Sequence, residues 1–268
     1  MNIAVVVVFL LTFLINYIGT LSLAVRMVGI KTKLWSMSYA IFNVVALVAR
    51  LANTIQAPLL AKHIEVDIQN GQESNINLFH FIIIGATLGT AAGGYSIPSF
   101  QRVLTVAVKK YYEVNSFPKL ILSAALPKAW PYYQKSLVLP SAKNLYDLKS
   151  RSGISTNVII LNVIISAITT ISVLSCLYAG YLNPTLRATA ASMNGVVNSF
   201  SVILALLFVD PYTALFTDEV NLGRRSDADF KRFILNLVAA RLLGTLLAQC
   251  LLYPFAYFIV FLIEINIF

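Results

Sequence analysis

The stretch F-N-V-V-A-L-V-A-R-L-A-N-T-I-Q-A-P, residues 42–58, decides how the rest of the chain is read. It sets one arginine, Arg50, inside an apolar segment running from about Leu34 to Ala61, long enough at about 1.5 Å per residue to cross a bilayer with tilt. Arg50 is therefore expected well inside the hydrocarbon. A guanidinium there costs roughly 2.5 kcal/mol or more and normally turns toward protein or a wet cavity. At helical spacing Asn43, Ala46, Leu47, Arg50, Asn53, Thr54 and Ala57 share one face, so the polar groups form a stripe.

Composition agrees with a membrane chain. Hydrophobic residues make up 58% and charged residues only 12%, with a mean hydropathy of +0.78. The expected fold is all-α and polytopic, a single integral membrane domain over residues 1–268. Its six spans fall at about 3–25, 35–61, 78–98, 155–182, 185–209 and 233–262. Cys176 and Cys250 lie in apolar runs and read as packing residues, not as a disulfide framework. The N-terminal apolar run lacks a basic region ahead of it and reads as a first span, not a signal peptide.

Lys and Arg in the connections set the orientation. Arg26, Lys31 and Lys33 follow the first span. The connection 99–154 adds Arg102, Lys109, Lys110, Lys119, Lys128, Lys135, Lys143, Lys149 and Arg151 against Glu113 and Asp147. Both belong in the cytoplasm, so both termini are expected outside, with the mixed loop 62–77 also outside. The formal charge of +9 is thus a topology signal and not a nucleic-acid footprint. Gly85, Gly89 and Gly93 in the third span allow close approach of another helix. Gly94 and Pro98 weaken the same span toward the cytoplasm, making Gly93, Gly94 and Pro98 the candidate gate. Ser99 is then expected to cap a separate amphipathic helix, with Phe100, Val103, Leu104, Ala107, Val108 and Tyr111 on one face. Prolines, tyrosines, Trp130 and lysines over 111–153 suit the headgroup layer and its anionic lipids.

Other spans repeat the polar stripe: Thr12, Asn16, Gly19, Thr20 and Arg26 in the first; Asn162, Ser166, Thr169 and Thr170 in the fourth; Arg187, Ala191, Asn194, Asn198 and Ser201 in the fifth; Arg241, Gly244, Thr245, Ala248 and Gln249 in the sixth. Each alone reads as helix glue, whereas arginines in four of five point to more. Within the hydrocarbon the only carboxylate is Glu264, near the C-terminal end, so the cations read as unpaired and predict an anionic ligand. Carboxylate proton relays and a G-x-x-x-x-G-K-[ST] nucleotide loop are missing. His63 and His80 read as surface residues, with no metal cluster, catalytic set or cofactor. The acidic stretch 210–232 reads as a cytoplasmic connection.

Taken together, S-L-A-V-R-M-V-G (22–29), N-V-V-A-L-V-A-R-L-A-N-T-I-Q-A-P-L-L-A-K (43–62), I-P-S-F (97–100), N-P-T-L-R-A-T-A-A-S-M-N-G (183–195), D-P-Y (210–212) and R-L-L-G-T-L-L-A-Q (241–249) resemble the Amj family of bacterial lipid II flippases, alternates to MurJ. The resemblance covers nearly the whole chain. It implies a multi-pass protein of the bacterial cell membrane moving lipid II, an undecaprenyl-diphosphate-linked peptidoglycan precursor, from the inner to the outer leaflet. On that reading Arg50, then Arg241, Arg26 and Arg187, are the candidates for the diphosphate, because a guanidinium fork suits phosphate oxygens. Asn43, Asn53, Gln56, Asn194, Asn198 and Gln249 are the candidates for sugar and peptide, and Arg102, Lys109 and Lys110 for the portal mouth. A homodimer packed through the Gly85/Gly89/Gly93 face would enlarge a small six-span enclosure. Two other classes remain: an enzyme acting on a polyprenyl-diphosphate lipid, and a membrane scaffold for cell-wall synthesis that carries nothing.

Overall fold

A computed structural model describes residues 3–72, 75–126, 130–138 and 154–265. The helices are α1 (Ile3–Thr32), α2 (Trp35–Gln69), α3 (Ile76–Val114), α4 (Phe117–Ala125), α5 (Trp130–Ser136), α6 (Thr156–Leu182), α7 (Arg187–Leu204), α8 (Asp210–Asn221) and α9 (Asp227–Glu264). Six helical segments are long and apolar enough to cross a membrane, α7 and α8 counting as one with the turns that join them to α6 and to each other. The protein is an all-helical, multi-pass membrane protein, as expected. Helices are the form an apolar run takes in lipid, because they pair every backbone group within the segment. Polar side chains follow the same rule on α1: Thr12 donates to the Val8 carbonyl, Asn16 to Thr12 and Thr20 to Asn16, at 2.8, 3.0 and 2.8 Å.

Several helices run past their expected ends. Residues 99–114 do not start a new helix but continue α3, with Pro98 in its interior. Ser99 caps nothing; its hydroxyl accepts from the Val138 amide at 2.9 Å and lies 3.2 Å from the Val138 carbonyl. Along its length α3 packs closely on α1. A Cβ on Gly85 would stand 2.9 Å from the Phe9 carbonyl oxygen, and one on Gly93 2.8 Å from that of Tyr17. At Gly89 the Phe13 carbonyl leaves even less room. The glycine face is therefore taken by α1 of the same chain, and a dimer cannot be built through it. The amphipathic pattern beyond Pro98 is as expected, with Leu104 and Val108 buried and Arg102, Lys109 and Lys110 exposed.

The second difference is at D-P-Y. The stretch from Asp210 is not a loop: α7 passes through a π turn at Ala205–Val209 straight into α8. Pro211 has no N–H to give and its ring crowds the carbonyl four residues back, which a wider turn ahead of it relieves. Only 222–226 is left as a connection, and Ser226 with Asp229 closes a capping box on α9.

The buried core is in two parts. Near one end of the bundle Phe79, Ile83, Leu174, Leu252 and Ile259 pack together; near the other, Val25, Val28, Val108, Phe216 and Phe233 do. Lys31, Lys33, Arg102, Lys109, Lys110, Arg224 and Lys231 belong to the second, basic end, by the order of the helices. Asp67 lies at the opposite end, accepting from the Tyr181 hydroxyl and 3.7 Å from His63. Lys128, Lys143, Lys149, Arg151, Pro127 and Pro140 of the expected interfacial layer lie outside the described residues; within it, Leu122 and Trp130 are exposed.

Candidate functional site

Between the two apolar cores α1, α6, α8 and α9 enclose a cavity of about 210 Å³. Asn16, Ser22 and Arg26 face it from α1, Asn162, Ser166, Thr169 and Thr170 from α6, Asp210 and Thr213 from the π turn and α8, and Arg241 from α9. Most of these polar groups already use a donor within the protein. Asn162 donates to the Leu237 carbonyl at 3.1 Å, Thr170 to Ser166 at 2.7 Å and Thr169 to Ile165 at 2.6 Å. Their oxygens remain as acceptors, which repel an anion. The charged donors facing the cavity are those of the guanidinium groups, beside the Ser166 hydroxyl and the second amide N–H of Asn16 and Asn162.

Arg26 is held by Asp210, Nη2 to Oδ1 3.3 Å, with the arginine side chain 19% and the carboxylate 48% exposed. Tyr39 of α2 interacts with both. Arg241 has no such partner: it makes no hydrogen bond or ion pair among the described residues, and its Nε is closed off from solvent. Its guanidinium rests on Gly19, where a Cβ would stand 2.5 Å from Nη2. Gly19 and Arg26 are two turns apart on one face of α1, about 10 Å along the axis. Arg241 is thus held above Arg26 along the same cavity wall.

The other expected site residues lie elsewhere. Asn43, Arg50 and Asn53 are exposed on α2, and Arg50 makes no side-chain hydrogen bond or ion pair among the described residues. Arg187 and Asn198 are exposed on α7, Asn194 is half-buried with an unpartnered Oδ1, and Gln56 is buried. Gln249 is engaged with His80, donating to its carbonyl at 3.1 Å while its Oε1 lies 2.6 Å from the ring Nδ1. His80 is therefore a helix-joining residue and not a surface one, and His63 is half-buried beside Asp67. Gly94 meets Val238 of α9, a Cβ there standing 2.6 Å from Cγ1. Two features escaped the sequence reading: Asp210, placed in a loop, and Gly19, counted only as a stripe member. Arg50 and Arg241, the two cations expected without a carboxylate, have none among the described residues, whereas Arg26 is paired with Asp210, because the helix continues through the π turn into α8 and brings Asp210 to face α1.

The family described as Amj, Alternate to MurJ, matches residues 11–263, which include every residue lining the cavity. The chain belongs to the Amj family. An Amj protein from Bacillus subtilis (strain 168), Lipid II flippase Amj, is 32% identical over 265 residues, covering 96% of each chain. That relative is named as a transporter and not as an enzyme. No solved structure matches. The cavity and the α1–α3 contacts at Gly89 and Gly93 thus fall within the matched range.

Proposed function

We propose that this protein is a lipid II flippase, moving the undecaprenyl-diphosphate-linked precursor from the inner to the outer leaflet of the bacterial cytoplasmic membrane. The diphosphate is seated on Arg26 and Arg241, and the cavity opens alternately to either side. The observation that carries this reading is Arg241, a cation inside the bundle with no protein partner among the described residues, facing a cavity that a second arginine, Arg26, also lines. A buried cation without a counter-charge is costly enough that an anionic ligand is its natural complement.

The cavity volume suits a diphosphate and not a disaccharide-pentapeptide, so the headgroup must lie outside it in this conformation. The exposed Asn43, Arg50 and Asn53 on α2, with Asn198 and Arg187 on α7, are the contacts assigned to sugar and peptide once the bundle opens. Arg102, Lys109 and Lys110 at the basic end gather the anionic lipid first, and that end faces the cytoplasm by the charge rule, leaving both termini outside. For the moving element, bending at Gly93, Gly94 and Pro98 would require α1 and α9 to part from α3. The π turn Ala205–Val209, which lines the cavity, is the preferred hinge, since π turns interrupt the regular helix and recur at functional sites.

Hydrolysis or transfer at the diphosphate would need a nucleophile held by a base, whereas the one carboxylate of the lining, Asp210, is paired with Arg26 and the hydroxyls of Thr169, Thr170 and Thr213 donate to backbone carbonyls. The test is purified protein in vesicles with labelled lipid II. Movement between leaflets with unchanged lipid mass is expected; no movement, or a change of mass with turnover, contradicts the proposal.

A further inference from the structure

The membrane-spanning helices fall into two sets of three. In the first, α1 packs mainly on α3 and then on α2, while α2 and α3 barely touch. In the second, α6 packs in the same way on α9 and then on α7, while α7 and α9 barely touch. The sequence carries the same correspondence. Each second helix has an internal proline, Pro58 in α2 and Pro211 in the continuous α7–α8 helix, and so does each third helix, Pro98 in α3 and Pro254 in α9. L-G-T occurs in both third helices, at 88–90 and 243–245. Its glycine lies in each case against a backbone carbonyl of its own first helix, Gly89 against Phe13 and Gly244 against Val163, where a Cβ on Gly244 would stand 2.5 Å from the oxygen. The shift that takes Phe13 to Val163 also takes Thr12, Asn16, Gly19 and Thr20 to Asn162, Ser166, Thr169 and Thr170, one polar stripe onto the other.

The two sets run in opposite directions. α1 ends at the basic end, whereas α6 begins there, with Ile154 packed on the core at that end and the Ser155 amide donating to the Tyr212 hydroxyl at 3.0 Å. Contacts between the sets obey the same relation: α9 meets α1 as α3 meets α6, α8 meets α1 as α2 meets α6, and α3 and α9 pack on each other. An inverted repeat about an axis in the membrane plane has this arrangement. The surroundings of the first helices break the symmetry. Residues 171–180 of α6 are all buried, while over 156–165 only Val158 is; the corresponding stretches of α1, 21–30 and 6–15, are each partly buried.

We propose that the two sets are inverted repeats and that access to the site alternates by exchange of their arrangements, an inference that rests on the flippase reading above. In the present arrangement the loosely covered half of α6 lines the cavity through Asn162, with α8 and α9 beside it. In the exchanged one the corresponding half of α1 takes that part, Thr12 lining a cavity toward the opposite end with α2 and α3 beside it. The seat of the anion belongs to both. Asn16 and its counterpart Ser166 line the same cavity, and Arg241 rests on Gly19, whose counterpart Thr169 lines it too. Arg241 has no second copy, since Ala86 holds the matching place before L-G-T in α3, so one cation serves both arrangements. Two packings built from matching parts differ little in free energy, as alternation between them requires.

Paired spin labels read the exchange directly. In the full-length protein with Cys176→Ala and Cys250→Ala, one pair is placed at Lys62 and Thr185, exposed at the end opposite the basic one, and another at Lys31 and Asp218, exposed at the basic end. Each pair joins one set to the other, and distances are measured in lipid nanodiscs with and without lipid II. Lipid II should add a population in which the Lys62–Thr185 distance is longer and the Lys31–Asp218 distance shorter, each by about 5 Å or more, the scale of a one-turn displacement. Thr12→Cys in the same background should react with an impermeant maleimide, from the side opposite the basic end, only when lipid II is present. An unchanged Lys62–Thr185 distance, or a Thr12→Cys that stays unreactive, in protein that moves lipid II overturns the exchange and leaves the flippase reading standing. Reciprocal distances in a protein that moves no lipid II between vesicle leaflets keep the exchange and defeat the flippase reading.

Discussion

Arg50 and Arg241 sit at nearly the same depth, about 22 and about 21 Å from the basic ends of α2 and α9 at 1.5 Å per residue, yet only Arg241 faces the cavity. Depth could be read from either apolar run. The direction each side chain faces depends on which neighbour covers the stripe, and a single helix does not encode its neighbours. Replacing Arg241 with glutamine should lower lipid II affinity by about ten- to a hundredfold, the range for charge-assisted hydrogen bonds worth about 1.5–3 kcal/mol. The same change at Arg50 should cost less than that, and equilibrium binding of labelled lipid II separates the two. Gly19→Ala offers a gentler probe of the same seat. Its methyl meets the flexible tip of Arg241 and not backbone, so the protein should fold with an unchanged unfolding midpoint while lipid II binding weakens.

Among the elements, the apolar runs matched six long helices, and the helix ends were misread. Pro98 and Ser99 read as a bend followed by a cap, and the acidic stretch from Asp210 as a connection. In the structure α3 runs on through Pro98 along the α1 seam, and a π turn accommodates Pro211. Local propensity lost to packing in the first case and to a change of helical pitch in the second, neither of which has a short sequence signature. The glycine spacing was legible as a close-packing face, but its partner proved to be α1 and not a second copy. Gly89→Ala should therefore act as an overpacking substitution, lowering stability by about 1–3 kcal/mol in a thermal or denaturant melt in micelles. A Gly93→Ala change would carry the same penalty, since its Cβ would stand 2.8 Å from the Tyr17 carbonyl oxygen, and it is a poor test of hinge motion for that reason.

Across the whole molecule, lysines and arginines crowd the basic end and outnumber Glu113, Asp218, Glu219, Asp227 and Asp229 there, whereas the opposite end carries Glu65, Asp67 and Glu264 with Lys62 and Arg187. A cysteine at Lys110 should react with an impermeant maleimide only when the cytoplasmic side is exposed, and one at Lys62 only from outside; the reverse pattern would invert the topology. Transport is also expected to be sensitive to voltage. Two negative charges crossing 100 mV gain about 4 to 5 kcal/mol when the arginines stay with the protein, so a potential positive outside should speed movement of lipid II in vesicles. The diphosphate is expected inside the bundle between Arg26 and Arg241. A structure of the protein with lipid II bound tests it most directly. The diphosphate is predicted in the α1–α6–α8–α9 cavity, contacting Arg241 and Arg26 with Asp210 displaced; a diphosphate bound instead at Arg50 on the exposed face of α2, with Arg26 and Asp210 still paired, would contradict it.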